Sequence, residues 1–224
     1  MTENLKAVFF DLDGTLLDTA PDFARVLNSL CDKHGRPPVP YASIRATVSH
    51  GARALVTLAF QLREEEQGFE PLRLELLELY QQQLAVETRP FAGIPELLEH
   101  IESVGMAWGI VTNKPRIYTE AILSALQLKH RCQAVVCPDD VSHTKPHPEA
   151  LFLACDKSAC TPAQAIYIGD HRRDIEAGRN AGMKTITAAY GYIEPEDSIA
   201  SWQADYCINH PAEAIPIFQR YAGL

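Results

Sequence analysis

The stretch Ala7-Val8-Phe9-Phe10-Asp11-Leu12-Asp13-Gly14-Thr15 decides the fold of this chain. Its first four residues form a short apolar run, which is typical of a buried parallel strand. The run ends at Asp11, and Gly14 permits a sharp turn soon afterwards. Because side chains alternate along an extended backbone, Asp11 and Asp13 can face one cleft if that geometry continues past the strand. The stretch therefore predicts a first strand that ends in two acids.

Similar short apolar runs recur along the chain, and helical patterns separate most of them. The runs lie at residues 108–111, 134–137, 165–168 and 185–189. The helical patterns lie at residues 94–104, 117–126, 149–154 and 175–181. Strands that alternate with helices form a parallel sheet with helices on both faces. The sequence therefore predicts an α/β fold with a Rossmann-like parallel sheet.

Residues 22–86 break this alternation, because they contain helical patterns and Pro-rich turns but no convincing strand. We predict that residues 18–89 form an inserted, small α-helical cap domain, and that residues 1–17 and 90–224 form the α/β core. An insertion directly after the first strand lies over the carboxyl ends of the strands, where open α/β sheets bind ligands. The cap is therefore expected to cover the candidate site.

Composition and charge restrict the partners of this chain. Its 224 residues, 46% hydrophobic and 22% charged, are typical of a folded globular protein. A net charge of -9 without any basic run disfavours nucleic acid as a partner. Neither a secretory leader nor an apolar run long enough to span a bilayer is present, and the six cysteines form no C-x-x-C pair. We expect a cytoplasmic protein with reduced thiols that binds neither nucleic acid nor membrane.

Three further motifs follow the first, each placed at a strand end or in the loop before a helix. Val111-Thr112-Asn113 ends the second strand, Lys145-Pro146 precedes a helical pattern, and Gly169-Asp170-His171-Arg172-Arg173-Asp174 ends a later strand. Alone, each is an ordinary helix cap, turn or solvated segment. Together with Asp11-x-Asp13-Gly14-Thr15, their order resembles the phosphatase branch of the haloacid dehalogenase superfamily over the whole chain. The chain looks most similar to phosphoglycolate phosphatases and N-acetylmuramic acid 6-phosphate phosphatases, and we favour the latter.

The resemblance implies a magnesium-dependent phosphatase that works through an aspartyl-phosphate. It implies that Asp11 and Asp170 supply carboxylate oxygens to Mg²⁺, that Asp13 supplies its main-chain carbonyl, and that Asp174 completes or orients the acidic shell. Two carboxylates and one carbonyl suit this ion, which prefers oxygen ligands and retains several waters. Asp11 is the implied nucleophile, and Asp13 the implied acid and base, with its side chain directed away from the metal.

The charge of the substrate explains the remaining residues of the motifs. A phosphate monoester is doubly negative, so an attacking carboxylate is repelled unless cations neutralise both groups. By resemblance, Lys145, Thr112 and the backbone N–H of Asn113 hold the oxygens of the transferring phosphoryl group. The predicted partner is thus a small phosphorylated metabolite.

The cap segment Ser49-His50-Gly51-Ala52-Arg53 resembles the substrate-facing turn of such caps. Gly51 would let the turn approach the ligand, and a helix that starts there points its amino terminus at an anion. Arg53 would bind a carboxylate on the metabolite, with His50 beside it. The alternative is that His50 and Arg53 are ordinary exposed residues of a helix start. Four further residues could contact a larger sugar: Arg116, Tyr118, His171 and Arg172. The alternative is that they are ordinary solvated surface residues.

Two other functions fit part of the pattern. A phosphosugar mutase of the same superfamily would share the core but would rephosphorylate its bound intermediate instead of releasing phosphate. A non-enzymatic phosphoacceptor module also combines clustered Asp, Thr and Lys on a parallel α/β sheet. In such modules the first-strand acids are adjacent and a cap is absent, whereas Asp11 and Asp13 are separated by one residue. The sequence therefore favours a phosphatase.

Overall fold

The computed structural model describes residues 4–194 and 197–222. The predicted domain ranges also include residues 1–3, 195–196 and 223–224, which lie outside the described residues. The helices and strands, in chain order, are β1 (Ala7–Phe10), β2 (Leu17–Asp18), α1 (Ala20–Lys33), α2 (Tyr41–Thr47), α3 (Gly51–Phe60), α4 (Phe69–Gln82), β3 (Arg89–Pro90), α5 (Ile94–Ser103), β4 (Ala107–Val111), α6 (Arg116–Ala125), β5 (Ala134–Val136), α7 (Glu149–Lys157), β6 (Ala165–Gly169), α8 (Arg172–Ala181), β7 (Lys184–Ala188), β8 (Tyr206–Ile208) and α9 (Ala214–Ala222).

Six strands form one parallel sheet in the order β5-β4-β1-β6-β7-β8. Strand β1 lies inside this sheet, where Ala7 pairs with Ala107 of β4 on one side and with Ala165 of β6 on the other. All four residues of β1 are buried, as the apolar run predicted. The predicted α/β fold with a Rossmann-like parallel sheet is confirmed.

Side-chain alternation along β1 divides the core between the two faces of the sheet. Val8 and Phe10 pack in one apolar cluster, which also contains residues of α5 and α9. Ala7 and Phe9 pack in a second cluster on the opposite face, with residues of α7 and α8. Since helices cover both faces, the polar residues that follow the strands gather at the carboxyl ends of the strands.

The helices α1 to α4 share a third apolar cluster, which includes Phe23, Leu27, Leu55 and Leu76. A two-stranded antiparallel sheet joins the ends of this region, because Leu17 of β2 pairs with Pro90 of β3 and Asp18 pairs with Arg89. We use the word cap for residues 18–89, and the division into cap and core stays a prediction. Among the described residues, none of the helices combines the length and apolar character needed to cross a membrane.

Asp22 is buried near the start of α1 and connects this helix to the segment that leaves the cap. Its carboxylate accepts hydrogen bonds from Thr88 Oγ1 at 2.6 Å, Thr88 N at 3.1 Å and Glu87 N at 2.9 Å. Arg25 Nη2 lies 2.8 Å from the same carboxylate. Burial alone would raise the pKa of Asp22, but these hydrogen bonds outweigh it and lower the pKa.

We expect Asp22→Asn to lower the free energy of unfolding at pH 7 by about 2–4 kcal/mol, because the amide nitrogen would face N–H and O–H donors. Since the folded-state pKa is lowered, this stabilisation is present above the unfolded-state pKa of about 3.9 and is lost as the pH falls through the folded-state value. Urea unfolding at several pH values measures it, with the exposed Asp32→Asn variant as control. The account would be contradicted if the difference in unfolding free energy between the wild-type protein and Asp22→Asn stayed the same from neutral pH down to about pH 3.

Candidate active site

The carboxyl ends of three neighbouring strands bring the sequence motifs together. Asp11 follows β1, Thr112 follows β4 and Asp170 follows β6, and these strands are adjacent in the sheet. Asp174 lies in the first turn of α8. One carboxylate oxygen from each of Asp11, Asp170 and Asp174 lies within 4.8 Å of the other two. Acids separated by 159 residues in sequence therefore share one site.

Lys145 is the cation of this acidic group, and its side chain is almost completely buried. Its Nζ lies 2.9 Å from Asp11 Oδ1 and 2.7 Å from Asp174 Oδ1. It also donates hydrogen bonds to Val111 O at 3.0 Å and to Tyr167 Oη at 2.8 Å. Burial favours the neutral amine, but the two carboxylates outweigh burial and raise the pKa of Lys145. Lys145 is therefore a cation that is held in place from several directions.

The three acids carry more negative charge than Lys145 can balance. Burial, reinforced by the charges of Asp11 and Asp174, raises the pKa of Asp170 to about 8. Burial also raises the pKa of Asp11, against the opposing effect of Lys145. Ionisation of all three carboxylates beside one ammonium would leave two negative charges uncompensated, and the raised pKa values of Asp11 and Asp170 reflect the cost of that state without a further cation. A divalent cation with oxygen ligands, such as Mg²⁺, fits this set of donors.

Close packing fixes the position of Asp170. Its carboxylate accepts hydrogen bonds from Thr15 Oγ1 at 2.6 Å and from Tyr192 N at 2.9 Å. Gly14 lies against it with a φ of 86°, and a Cβ there would lie 2.1 Å from Asp170 Oδ2. Gly14 is therefore required for both its backbone conformation and its lack of a side chain.

The Asp13 side chain is not part of the three-acid group. Its Oδ1 accepts hydrogen bonds from Thr19 Oγ1 at 2.6 Å and from Lys114 Nζ at 3.0 Å. Lys114 is itself buried and also donates to Tyr80 Oη at 3.0 Å. Sequence reasoning missed Lys114, although it directly follows the Thr112-Asn113 motif. The Asp13 side chain is thus held by a cation and a hydroxyl, apart from the three-acid group.

A cavity of about 160 Å³, here called the phosphate chamber, is lined by one member of the three-acid group, Asp11. Asn113, on its wall, fixes the loop of Lys145, because its side chain accepts from Lys145 N at 3.2 Å and donates to Lys145 O at 3.1 Å. The chamber is lined by Asp11, Asp13, Phe23, Val48, Ser49, His50, Thr112, Asn113, Lys114, Lys145, His171 and Arg173. It therefore contains both acids of the first motif, and core and cap residues form its walls.

Arg173 is a second residue that sequence reasoning passed over, although it lies inside the quoted motif Gly169 to Asp174. It lines the phosphate chamber, and its Nη2 lies 2.9 Å from His171 Nε2. Burial, together with the charges of Arg173 and His50, lowers the pKa of His171 to about 4. His171 is therefore neutral at pH 7, and Arg173 supplies a positive charge at the chamber wall.

The structure separates the three residues predicted in the cap turn. His50 lines the phosphate chamber, and its Nε2 lies 2.5 Å from Glu194 Oε1. Gly51 begins α3 with a φ of 79°, and it is not among the residues that line the chamber. Arg53 is exposed and lies 2.7 Å from Glu64. Only His50 of these three residues therefore borders the phosphate chamber.

A second cavity of about 410 Å³, here called the outer chamber, adjoins the first. It is lined by Phe23, His50, Ala52, Arg53, Arg73, Leu77, Tyr80, Lys114, Pro115, Ile117 and Tyr118. Two of the four candidate sugar contacts line a chamber: Tyr118 lines the outer chamber, and His171 lines the phosphate chamber. Arg116 instead pairs with Glu120 and Asp140, and Arg172 with Asp197. These two arginines therefore have acidic partners outside both chambers.

Comparison with known proteins agrees with this geometry. A sequence profile described as haloacid dehalogenase-like hydrolase matches residues 8–188. The chain is 50% identical to an N-acetylmuramic acid 6-phosphate phosphatase of Pseudomonas aeruginosa, over 96% of each protein. It is 38% identical to a phosphoglycolate phosphatase of Xanthomonas campestris, over 93% of this chain and 94% of that one.

A solved structure gives the same result for the fold. The crystal structure of a predicted phosphoglycolate phosphatase from Haemophilus somnus superposes with a TM-score of 0.84 at 27% sequence identity. The superposition covers 96% of this chain and 98% of the other. The resemblance inferred from the four motifs is confirmed, and the chain belongs to the haloacid dehalogenase-like hydrolase family.

Proposed function

We propose that this chain is a magnesium-dependent phosphatase that hydrolyses N-acetylmuramic acid 6-phosphate, a sugar phosphate of cell-wall recycling, in the cytoplasm. The observation that carries the phosphatase assignment is the position of Asp11, beside Lys145, within the three-acid group and on the wall of the phosphate chamber. The relative that is 50% identical along almost its whole length supports the choice of substrate. The six cysteines, all of them free thiols, support the location.

In the first step, an oxygen of Asp11 attacks phosphorus and the bond from phosphorus to the ester oxygen breaks. Asp13 gives its proton to the departing alkoxide, so the sugar leaves as an alcohol. Thr19 and Lys114 hold the Asp13 carboxyl apart from the three-acid group. The Asp13 carboxyl is therefore kept away from the ion that would otherwise hold it as an anion.

In the second step, Asp13 takes a proton from a water molecule that attacks the phosphorus of the aspartyl-phosphate. The bond between phosphorus and Asp11 breaks, inorganic phosphate leaves, and Asp13 is protonated for the next cycle. One residue thus acts as acid and then as base, a role worth about 10²–10⁴-fold in rate.

The surrounding groups stabilise the charge that develops on the phosphoryl oxygens. Mg²⁺ held by Asp11, Asp170, Asp174 and the Asp13 carbonyl would neutralise charge between Asp11 and the phosphate. Lys145 contributes mainly its positive charge, because acceptors already surround its Nζ. The Thr112 hydroxyl and the Asn113 backbone N–H are the proposed donors to the phosphoryl group, as inferred from the family motif.

Phosphoglycolate is the second candidate substrate, because relatives at 38% identity carry that name. Both candidates are small phosphate monoesters that carry a carboxylate, so Arg53 at the outer chamber does not separate them. The size of the non-phosphate part does separate them. The outer chamber, at about 410 Å³, offers room that glycolate does not need.

Phosphate release from a panel of monoesters tests the proposal. We expect kcat/KM to be at least about 10-fold higher for N-acetylmuramic acid 6-phosphate than for phosphoglycolate or glucose 6-phosphate. A preference for phosphoglycolate would transfer the assignment to that substrate. Isomerisation of a sugar phosphate without release of phosphate would indicate a mutase, and an aspartyl-phosphate stable for hours would indicate a phosphoacceptor module.

A further inference from the structure

The outer chamber and the phosphate chamber share part of their walls. Phe23, His50 and Lys114 line both cavities, so they form the boundary between them. The phosphate chamber, at about 160 Å³, is smaller than ordinary small-molecule pockets of about 300–1,000 Å³, whereas the outer chamber, at about 410 Å³, falls within that range. A phosphate ester bound at Asp11 therefore has an outlet for the rest of the molecule.

One wall of the outer chamber is aromatic and apolar. The rings of Phe23 and Tyr80 stack with their centroids 4.0 Å apart, and the ring of Tyr118 lies 5.7 Å from that of Tyr80. Ile117 lines the same cavity although it is 56% exposed. Faces of this kind pack against the C–H groups of a ring, and a ligand there would cover the exposed Ile117 side chain.

The charges of the outer chamber are all of one sign. Among the described residues, those that line it include Arg53, Arg73 and Lys114 but no carboxylate. Each of these cations has a carboxylate partner that does not line the outer chamber: Asp13 for Lys114, Glu64 for Arg53 and Glu70 for Arg73. The Lys114–Asp13 pair is almost completely buried, whereas both glutamates are about half exposed, so the two arginines are the groups that can exchange one carboxylate for another.

The two arginines differ in how firmly they are held. The Arg73 side chain is 20% exposed, and its Nε and Nη2 atoms lie 2.8 Å and 2.5 Å from the two carboxylate oxygens of Glu70. The Arg53 side chain is 51% exposed and makes a single contact with Glu64. Arg73 is thus better shielded from solvent, and it already binds a carboxylate with both prongs of its guanidinium.

We propose that the outer chamber binds the non-phosphate part of the substrate, a ring that carries a carboxylate, and that Arg73 is the specificity residue that binds this carboxylate. The substrate carboxylate replaces that of Glu70 on the guanidinium, while Tyr118 and Ile117 cover the ring. This inference rests on the proposed phosphatase function and adds a residue that the sequence motifs do not contain.

A comparison of two substrates tests the role of Arg73. N-acetylmuramic acid 6-phosphate carries the carboxylate, and N-acetylglucosamine 6-phosphate has the same ring and phosphate without it. We expect Arg73→Ala to lower kcat/KM for the first substrate about 10- to 100-fold and for the second less than about 3-fold. Arg63→Ala is the matched control, because Arg63 is an 81% exposed cap arginine that also pairs with a glutamate three residues away.

A variant of the partner acid gives a second, independent readout. Glu70→Gln removes the charge that competes for Arg73, so we expect KM for the carboxylate-bearing substrate to fall about 2- to 5-fold. The KM for N-acetylglucosamine 6-phosphate is expected to stay within about 2-fold. A purely structural role of the Arg73–Glu70 pair would raise both KM values or neither.

The outcomes distinguish this inference from the proposed function. One outcome is that the wild-type enzyme hydrolyses N-acetylmuramic acid 6-phosphate while Arg73→Ala lowers kcat/KM equally for both substrates, or for neither. In that case the Arg73 assignment is wrong and the phosphatase assignment stands. If the wild-type enzyme releases no phosphate from either sugar, the proposed function fails first. Thermal unfolding of each variant identifies any loss that comes from misfolding.

Discussion

Asp11→Asn is expected to lower kcat for phosphate release by at least about 10⁴-fold, with the fold intact. The substitution removes the proposed nucleophile and one of the three negative charges that would hold the metal. The other described acids near the phosphate chamber are held by different partners: Asp170 by Thr15 and Tyr192, and Asp174 by Lys145 and the His171 N–H. Asp13, on the chamber wall, is held by Thr19 and Lys114. Single-turnover phosphate release by the wild-type enzyme and the variant measures the effect.

The stability of the Asp11→Asn variant separates a chemical effect from a structural one. Burial raises the pKa of Asp11, so its ionised form is costly in the folded protein. A neutral amide relieves the repulsion with Asp174, and we expect the melting temperature to be unchanged or higher. Asp156→Asn, at an exposed position on α7, is the control. Substantial phosphate release by a well-folded Asp11→Asn variant would rule out Asp11 as the nucleophile.

Removal of divalent metal is expected to have the second large effect. After treatment with a chelator, we expect activity to fall at least about 100-fold, because Lys145 alone then offsets the repulsion between the Asp11 carboxylate and a dianionic phosphate group. Added Mg²⁺ should restore the activity. Calcium binds oxygen at about 2.3–2.6 Å with six to eight ligands, against about 2.0–2.1 Å for Mg²⁺, so it should restore less than about a tenth.

Two controls make the metal experiment specific. The free energy of unfolding of the chelated protein should stay within about 1 kcal/mol of its value with Mg²⁺ present, which excludes loss of fold as the cause. Binding of Mg²⁺ measured by calorimetry should be weakened in Asp170→Asn, because this residue supplies one of the three oxygen donors. Equal rates in Ca²⁺ and Mg²⁺, or full activity in chelator, would contradict the proposed metal site.

The strand ends of the core were predictable from the sequence, because a strand that is buried on both faces of the sheet is a continuous apolar run. Apolar runs such as Ala7–Phe10 end where the polar residues begin, and parallel strands gather those ends at one edge. The places of Asp11, Thr112 and Asp170 at strand ends were therefore predictable from these runs, whereas their roles came from the resemblance to the family. The strand β8 was not predicted, because it has three residues and only Ile208 is buried.

The residues that line the outer chamber were harder to predict from the sequence. Arg73 lies on α4 and Tyr118 on α6, and the meeting of these helices depends on how the cap packs on the core. No local pattern marks Arg73, which in the sequence is one arginine three residues after a glutamate. For Gly51 the sequence suggested a role that the fold does not need. Its positive φ alone accounts for a glycine at this position, without any contact with a ligand.

Capture of the covalent intermediate tests the central claim most directly. Wild-type enzyme is mixed with N-acetylmuramic acid 6-phosphate and Mg²⁺, quenched in acid within milliseconds, digested and analysed by mass spectrometry. We expect one phosphoryl group on the peptide that contains Asp11, formed before phosphate is released and absent from Asp11→Asn. Rapid turnover with no phosphorylated peptide, or with the phosphoryl group on another residue, would contradict the account.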